Sequence, residues 1–191
     1  MITLLIRTSY RPTLFKRLLD SIERQSYKEI NIIVSYDDDR ALEYIPENIQ
    51  KIRVYKTDKQ FFYDDYPNQL MDLVSYGYFM FIDDDEFLYD VDALMKVSRQ
   101  LNRKYATICQ MNRSGKLKPS NDLIRNRRIV RGKIGMPCII LHAIHKNIAR
   151  FDGSVGAADF LFIKDVQKKL PTKFINVAVA YCDRRSHGAM E

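Results

Sequence analysis

The sequence predicts an α/β domain with a central, mainly parallel sheet flanked by helices. Two observations carry this reading. Across roughly the first 110 residues, short apolar strand-like runs alternate with amphipathic helix-like segments, the pattern of a sheet connected by crossover helices. Two of those runs end in acidic clusters, Asp37–Asp39 and Asp83–Glu86, at the carboxyl ends where such sheets bind ligands.

Each element follows from local pattern. Ile2-Thr3-Leu4-Leu5-Ile6 is a short apolar run and reads as a buried strand. Pro12 opens a helix in which Leu14, Phe15, Leu18, Leu19 and Ile22 recur at helical spacing, with Lys16, Arg17, Asp20 and Glu23 opposite. Ile30 to Ser35 is a second strand and Ile52 to Tyr55 a short third. Asn68 to Ser75 is helical in pattern, and Tyr78 to Ile82 is a fourth strand. Asp90 can cap a helix carrying Val91, Leu94, Met95 and Leu101. Ala106 to Gln110 is another strand. Segment 113–133, with Pro119 and Gly132, reads as a long loop with little regular structure. Pro137 to Ala143 reads as a strand, Ala158 to Lys169 as a helix and Phe174 to Tyr181 as a last strand, before a short polar tail.

The 191 residues suit one domain with a real core, read as two halves over 1–110 and 111–191. Hydrophobic residues at 46% and charged residues at 29% exclude a disordered or fibrous chain. The apolar run before Arg7 is shorter than a secretory signal requires, and nothing approaches a membrane span. Cys109, Cys138 and Cys182 are too far apart for a zinc motif and indicate no disulfide framework, so a cytoplasmic setting is expected. The net charge of +7 is concentrated: segment 113–133 carries eight basic residues against Asp122 alone, and the rest of the chain is balanced. That segment can cover a diphosphate, meet an anionic acceptor or a membrane surface, or be a solvated loop.

The sharpest chemical signal is Phe81-Ile82-Asp83-Asp84-Asp85-Glu86. In an extended chain residues i and i+2 point the same way, so Asp83 and Asp85 can converge. Adjacent carboxylates repel unless a cation neutralises them, and hard oxygen donors suit Mg²⁺ or Mn²⁺, which is commonly shared with substrate phosphates. The bland alternative is a solvated acidic turn, which a position directly after a buried strand disfavours.

The first hundred residues resemble the GT-A fold and, within it, the family 2 inverting glycosyltransferases. The residues that carry this are Ile2 through Pro12, Leu18 through Tyr27, Ile32 through Asp38, Asn68, and the strand Tyr78 through Asp85. The resemblance implies a nucleotide-sugar donor, with UDP favoured and dTDP next, bound by the half 1–110, and a saccharide or other hydroxyl acceptor, with 111–191 as the acceptor and catalytic half. It implies that Thr8 lines the nucleobase pocket and that Asp37, or Asp38, receives the base. Asp83-Asp84-Asp85 matches the DXD motif, with Asp85 on the metal and Asp83 or Asp84 on ribose or sugar. Asp83 and His187 are further metal candidates. Asn68 matches a donor-site Asn, although Pro67 stands where the family has Arg. Gly153 to Leu161 resembles the element carrying the catalytic base, which makes Asp159 the candidate base and Asp152 the runner-up, with Ala158 where the family has Glu. A helix N-cap is the structural alternative for Asp159, and a helix N-terminus favours its ionised form. His142 and His145 read as strand or turn residues. The QxxRW motif of processive synthases is absent, which implies transfer of a single sugar. The chain is short for the family and can be one domain of a longer protein.

Three competing readings are weaker. A nucleotidyltransferase needs a Gly-rich loop after the first strand, and Thr8-Ser9-Tyr10-Arg11-Pro12 has no Gly. A nucleic-acid-binding module leaves Asp83–Glu86 unexplained. An inactive relative that only binds nucleotide-sugars or anions is consistent with the departures around Asp159.

Overall fold

The computed structural model describes residues 1–183. The order of elements is β1 (Ile2–Thr8), α1 (Pro12–Glu23), β2 (Ile30–Tyr36), β3 (Gln50–Arg53), α2 (Tyr66–Leu73), β4 (Tyr78–Asp83), β5 (Glu86–Leu88), α3 (Ala93–Ser98), β6 (Ala106–Arg113), β7 (Lys116–Lys118), α4 (Asn121–Arg125), β8 (Ile139–His142), α5 (Ala158–Lys169) and β9 (Thr172–Cys182). The strands form one sheet in the order β3-β2-β1-β4-β8-β6-β9-β5, with β7 paired to β6. The long ladders are parallel: β1 with β2, β1 with β4, and β6 with β9. The antiparallel pairings of β8, β5 and β7 are two or three residues each. The predicted mainly parallel α/β architecture is the observed one.

The core follows from the apolar runs. Ile2, Leu4, Leu5 and Ile6 of β1 and Phe79 to Ile82 of β4 are buried on both faces, as parallel central strands require. Helix α1 begins at Pro12, whose missing N–H costs nothing in a first turn, and buries Phe15, Leu18 and Ile22. A ring stack fixes the second half against the first. Phe151 and Phe162 lie face to face at 4.1 Å, and Phe81 of β4 meets them edge-on at 5.3 and 5.9 Å. Phe162 therefore anchors α5, and with it Asp159, to the strand that ends in Asp83.

Several boundaries differ from expectation. The third strand lies two residues earlier, and α3 is shorter, because Asp90 bonds the N–H of Asp92 in a turn ahead of the helix. Leu101 lies beyond it. Segment 113–133 is not a structureless loop: β6 runs on to Arg113, Ser114 and Gly115 turn with φ of 50° and 83°, and β7 pairs back before α4. The predicted strand Pro137 to Ala143 opens with a 3₁₀ turn over Met136–Cys138.

Candidate active site

The carboxyl ends of β1, β2 and β4 put Thr8, Asp37 and Asp83 side by side. Arg7 and Asp83 are direct partners across the β1–β4 ladder, so their side chains rise on the same face. The guanidinium grips the carboxylate with two bonds, Nε to Oδ1 and Nη2 to Oδ2, both 2.7 Å. Arg7 also donates to the Tyr63 carbonyl and lies 3.9 Å from Asp64. Burial works against its charge, but Asp83, then Asp64 and Glu86, hold it firmly protonated.

The Asp83-Asp84-Asp85 run divides at the end of β4, with Asp84 and Asp85 in the turn that leads to β5. Asp83 and Asp85 face the cleft. Asp84 turns the other way and is fully buried, where it accepts from Thr8 Oγ1 at 2.6 Å and is ion-paired with Arg11. Burial raises the Asp84 pKa, and Arg11 and Thr8 work against it. Asp84 therefore joins β1 to the start of α1 and does not present a carboxylate to a ligand. This corrects the expectation that it contacts ribose or sugar.

Two joined cavities occupy the cleft and share Arg7, Tyr63, Asp83 and Asp85. The first, about 410 Å³, adds Thr8, Ser9, Arg11, Asp37 and Tyr66. Asp37 Oδ1 is buried there with no hydrogen-bond partner, while Tyr66 Oη reaches Oδ2 at 3.5 Å. Burial, then Asp37, pushes the Tyr66 phenol up to about 12, so it stays a donor. The second cavity, about 260 Å³, includes Asp64, Glu86, Arg113, Lys118 and Asp159. Its mouth is therefore made partly by the hairpin of the basic segment.

Asp159 sits in the first turn of α5. Ala157, at a left-handed φ of 65°, is the N-cap, and Asp159 Oδ1 accepts from Phe160 N–H at 2.6 Å. Asp159 thus lies both in the first turn of the helix and on the cavity wall, but the N-cap position expected for it belongs to Ala157. Burial raises its pKa, helped by Asp83 and opposed by the Phe160 hydrogen bond and Arg7. Asp152 lies outside the two cavities: its carboxylate is exposed, accepts from Ser154 N–H, and is pulled below the usual range chiefly by that bond, with Lys59 assisting.

The remaining expectations fall elsewhere. Asn68 lines neither cavity; its amide donates to the Phe151 carbonyl at 3.0 Å and accepts from the Phe151 N–H at 2.9 Å. Asp38 also lies outside both cavities and is bound by Arg40, which holds it at about 2. His142 and His145 make turn contacts, to Ile144 N–H and the Arg103 carbonyl. His187 lies outside the described residues.

Tyr63, Asp64 and Tyr66 were not anticipated. They belong to Phe61-Phe62-Tyr63-Asp64-Asp65-Tyr66, an aromatic and acidic run whose density was the available signal. Contacts with the segment before α5 hold this run in place. Phe61 N–H donates to the Gly153 carbonyl at 2.8 Å, and Gly153 N–H donates to Asp65 at 2.9 Å. A Cβ at 153 would lie 2.6 Å from the Phe61 carbonyl oxygen, so only glycine admits this approach.

Asp64 carries a stability cost. Burial, with Asp159 and Asp83 adding and Arg7 opposing, lifts it from 3.8 to about 6. A carboxyl whose folded pKa exceeds its unfolded value destabilises the fold above that folded pKa, and the cost vanishes below the unfolded one. Asp64→Asn is therefore expected to gain about 1–3 kcal/mol at pH 7.5 and nothing near pH 3.5. Urea titrations at the two pH values check the sign.

Among the described residues, no three carboxylate, imidazole or thiol groups converge closely enough to enclose a metal by themselves. The donor chemistry does fit a hard divalent ion held by one or two carboxylates and completed by phosphate and water. Asp83 and Asp85 border both cavities. Buried Glu86 beside them is raised well above its usual range by desolvation and by Asp83 and Asp85, a crowding of like charge that a cation relieves.

No protein-family model matches the chain, and no curated protein matches it. Solved structures do. S. aureus TarS superposes on 95% of this chain with a TM-score of 0.71 at 13% identity. S. aureus TarS 1-349 in complex with UDP-GlcNAc covers 100% with 0.68 at 13% identity. The mannosyltransferase PcManGT from Pyrobaculum calidifontis, in complex with GDP-Man and Mn²⁺, covers 96% with 0.65 at 16% identity. The chain spans 36%, 61% and 56% of those three chains. It shares their fold, which is the GT-A architecture the sequence resembles. Among the described residues, no helix is long and apolar enough to cross a membrane.

Proposed function

We propose that the chain is an inverting, metal-dependent glycosyltransferase that moves one sugar from a nucleoside-diphosphate donor to a hydroxyl acceptor. The observation that carries this is the pair of joined cavities, with Asp37 in one, Asp159 in the other, and Asp83 and Asp85 between them. The fold shared with structures holding UDP-GlcNAc and GDP-Man supports the same reading.

In this reading the unpartnered Asp37 Oδ1 accepts a ring N–H of the base, as uracil offers, and Tyr66 steadies the second oxygen. Thr8 and Ser9 line the same pocket. Asp85, with Asp83 beside it, would hold Mg²⁺ or Mn²⁺, which supplies charge stabilisation to the departing diphosphate. Asp83 stays fixed by Arg7. The pairing of Asn68 with Phe151 gives it a positioning role, holding the segment that leads to α5. Asp159 takes the proton from the acceptor hydroxyl as that oxygen bonds to the anomeric carbon. The glycosyl C–O bond breaks, and its electron pair leaves with the nucleoside diphosphate. A raised pKa makes Asp159 a stronger base than a surface carboxylate, provided it is ionised.

The stereochemistry tests the reading. With Mn²⁺, slow transfer to water from α-linked UDP-GlcNAc or GDP-Man is expected to release the β-anomer first, read by proton NMR before mutarotation. Initial release of the α-anomer would sink the inverting assignment.

A further inference from the structure

We propose that a second binding site, for a phosphorylated saccharide, lies at the opposite end of the sheet from the cleft. Strands β6 and β9 are parallel, and their carboxyl ends, Arg113 and Cys182, border the cleft. Their other ends, with the residues just before β6, frame a concavity of about 480 Å³ lined by Asn102, Tyr105, Arg127, Thr172, Lys173 and Phe174. The length of β6 separates the two by roughly 20–25 Å.

Arg127 is the telling residue. It follows α4 at φ 51°, a left-handed conformation. Its N–H bonds the Ile124 carbonyl and the Arg128 N–H bonds the Leu123 carbonyl, the pairing that closes a helix on a left-handed residue. Glycine or asparagine suits that position, and arginine bears a steric cost there. A residue held against its backbone preference points to a use for its side chain.

The lining defines the ligand. Among the described residues, no carboxylate pairs with Arg127 or Lys173, and no acidic residue lines the concavity. Lys173 directs Nζ donors to the carbonyl and Oε1 of Gln100, which leaves its third N–H for a ligand. Arg127 and Lys173 together suit a phosphate. Tyr105 and Phe174 offer ring surface for the apolar face of a sugar, and Asn102 keeps its NH₂ available while its Oδ1 accepts from Lys104 N–H. Arg103, Lys104 and Arg128, exposed and next to lining residues in the chain, add positive charge to these segments. The concave shape favours a compact ligand over a flat membrane surface.

Glucose 6-phosphate, glucose and inorganic phosphate are the probes, titrated calorimetrically at fixed ionic strength. Glucose 6-phosphate is expected to bind at least about tenfold more tightly than either fragment. Arg127→Gly is expected to lose about tenfold or more in that affinity while Tm rises by about 2–4 °C, because glycine relieves the strain. Tyr105→Ala is expected to weaken glucose 6-phosphate and leave phosphate binding unchanged, and Lys168→Gln, on an exposed helix face, is expected to behave as wild type. A stabilised Arg127→Gly with undiminished affinity would reduce Arg127 to a solvated helix end and overturn the site. Equal binding of inorganic phosphate would overturn the saccharide. So would sedimentation with phosphatidylserine vesicles in the absence of glucose 6-phosphate binding.

Discussion

Asp159→Asn is expected to lower donor turnover by about 10²- to 10⁴-fold while donor affinity stays within about twofold, the loss typical of a positioned general base. The substitution is clean. Asparagine keeps an oxygen for the Phe160 N–H, so the first turn of α5 is preserved and stability changes little. Only the proton acceptor is removed. Because burial raises the Asp159 pKa, wild-type turnover is also expected to fall on its acid side at a higher pH than a surface aspartate dictates. Hydrolysis of the nucleotide-sugar, followed as nucleoside diphosphate release from pH 4.5 to 8, reads both effects. Unchanged turnover in the variant would remove Asp159 from the mechanism and return the segment 153–161 to a structural role.

Arg7→Met is expected to cost about 1–3 kcal/mol of stability, because it removes two charge-assisted hydrogen bonds from the partly buried Asp83 carboxylate. Asp64, Glu86 and Asp159 line the same cavity, so their like charge near Asp83 is less well offset without the guanidinium. Adding Asp83→Asn is expected to recover part of the loss, since the carboxylate that Arg7 serves is then removed with it. The single variant is also expected to lose less at low pH, because the Asp64 carboxyl, already lifted to about 6 with Arg7 opposing the rise, is then protonated and no longer adds to the repulsion. Guanidinium titrations of the two variants at pH 7.5 and 4.5 give both comparisons. Equal loss in the single and double variants would mean that Arg7 stabilises through its stem packing alone.

Much of this arrangement is legible in the sequence because it is local. β1 and β4 are continuous apolar runs, and both Asp83 and Asp85 border the cavities, although the strand ends at Asp83 and a turn, not the period of two, carries Asp85 there. What the acidic run leaves open is which way Asp84 turns; the answer lies in Thr8 and Arg11, some seventy residues upstream. A separation of some ninety residues hides the pairing of Phe61 and Asp65 with Gly153, so the contribution of Tyr63 and Asp64 becomes visible only when the chain is folded. Segment 113–133 misleads for another reason. Its charges mask a short hairpin, although Ser114-Gly115 is a two-residue turn signal between Arg113 and Lys116. The absorbed charges are Arg113 and Lys118, which border the cleft, whereas Arg125, Arg127, Arg128, Arg131 and Lys133 stay exposed.

The central claim is that the cleft binds a nucleoside diphosphate with a divalent ion. Its most direct test is calorimetric titration of UDP, dTDP, GDP and CMP, each with and without Mn²⁺, into the wild-type chain and Asp85→Ala. The account predicts that one diphosphate binds, that Mn²⁺ strengthens it at least about tenfold, and that Asp85→Ala abolishes the metal effect. Absence of binding by all four, with Mn²⁺ present, would contradict it.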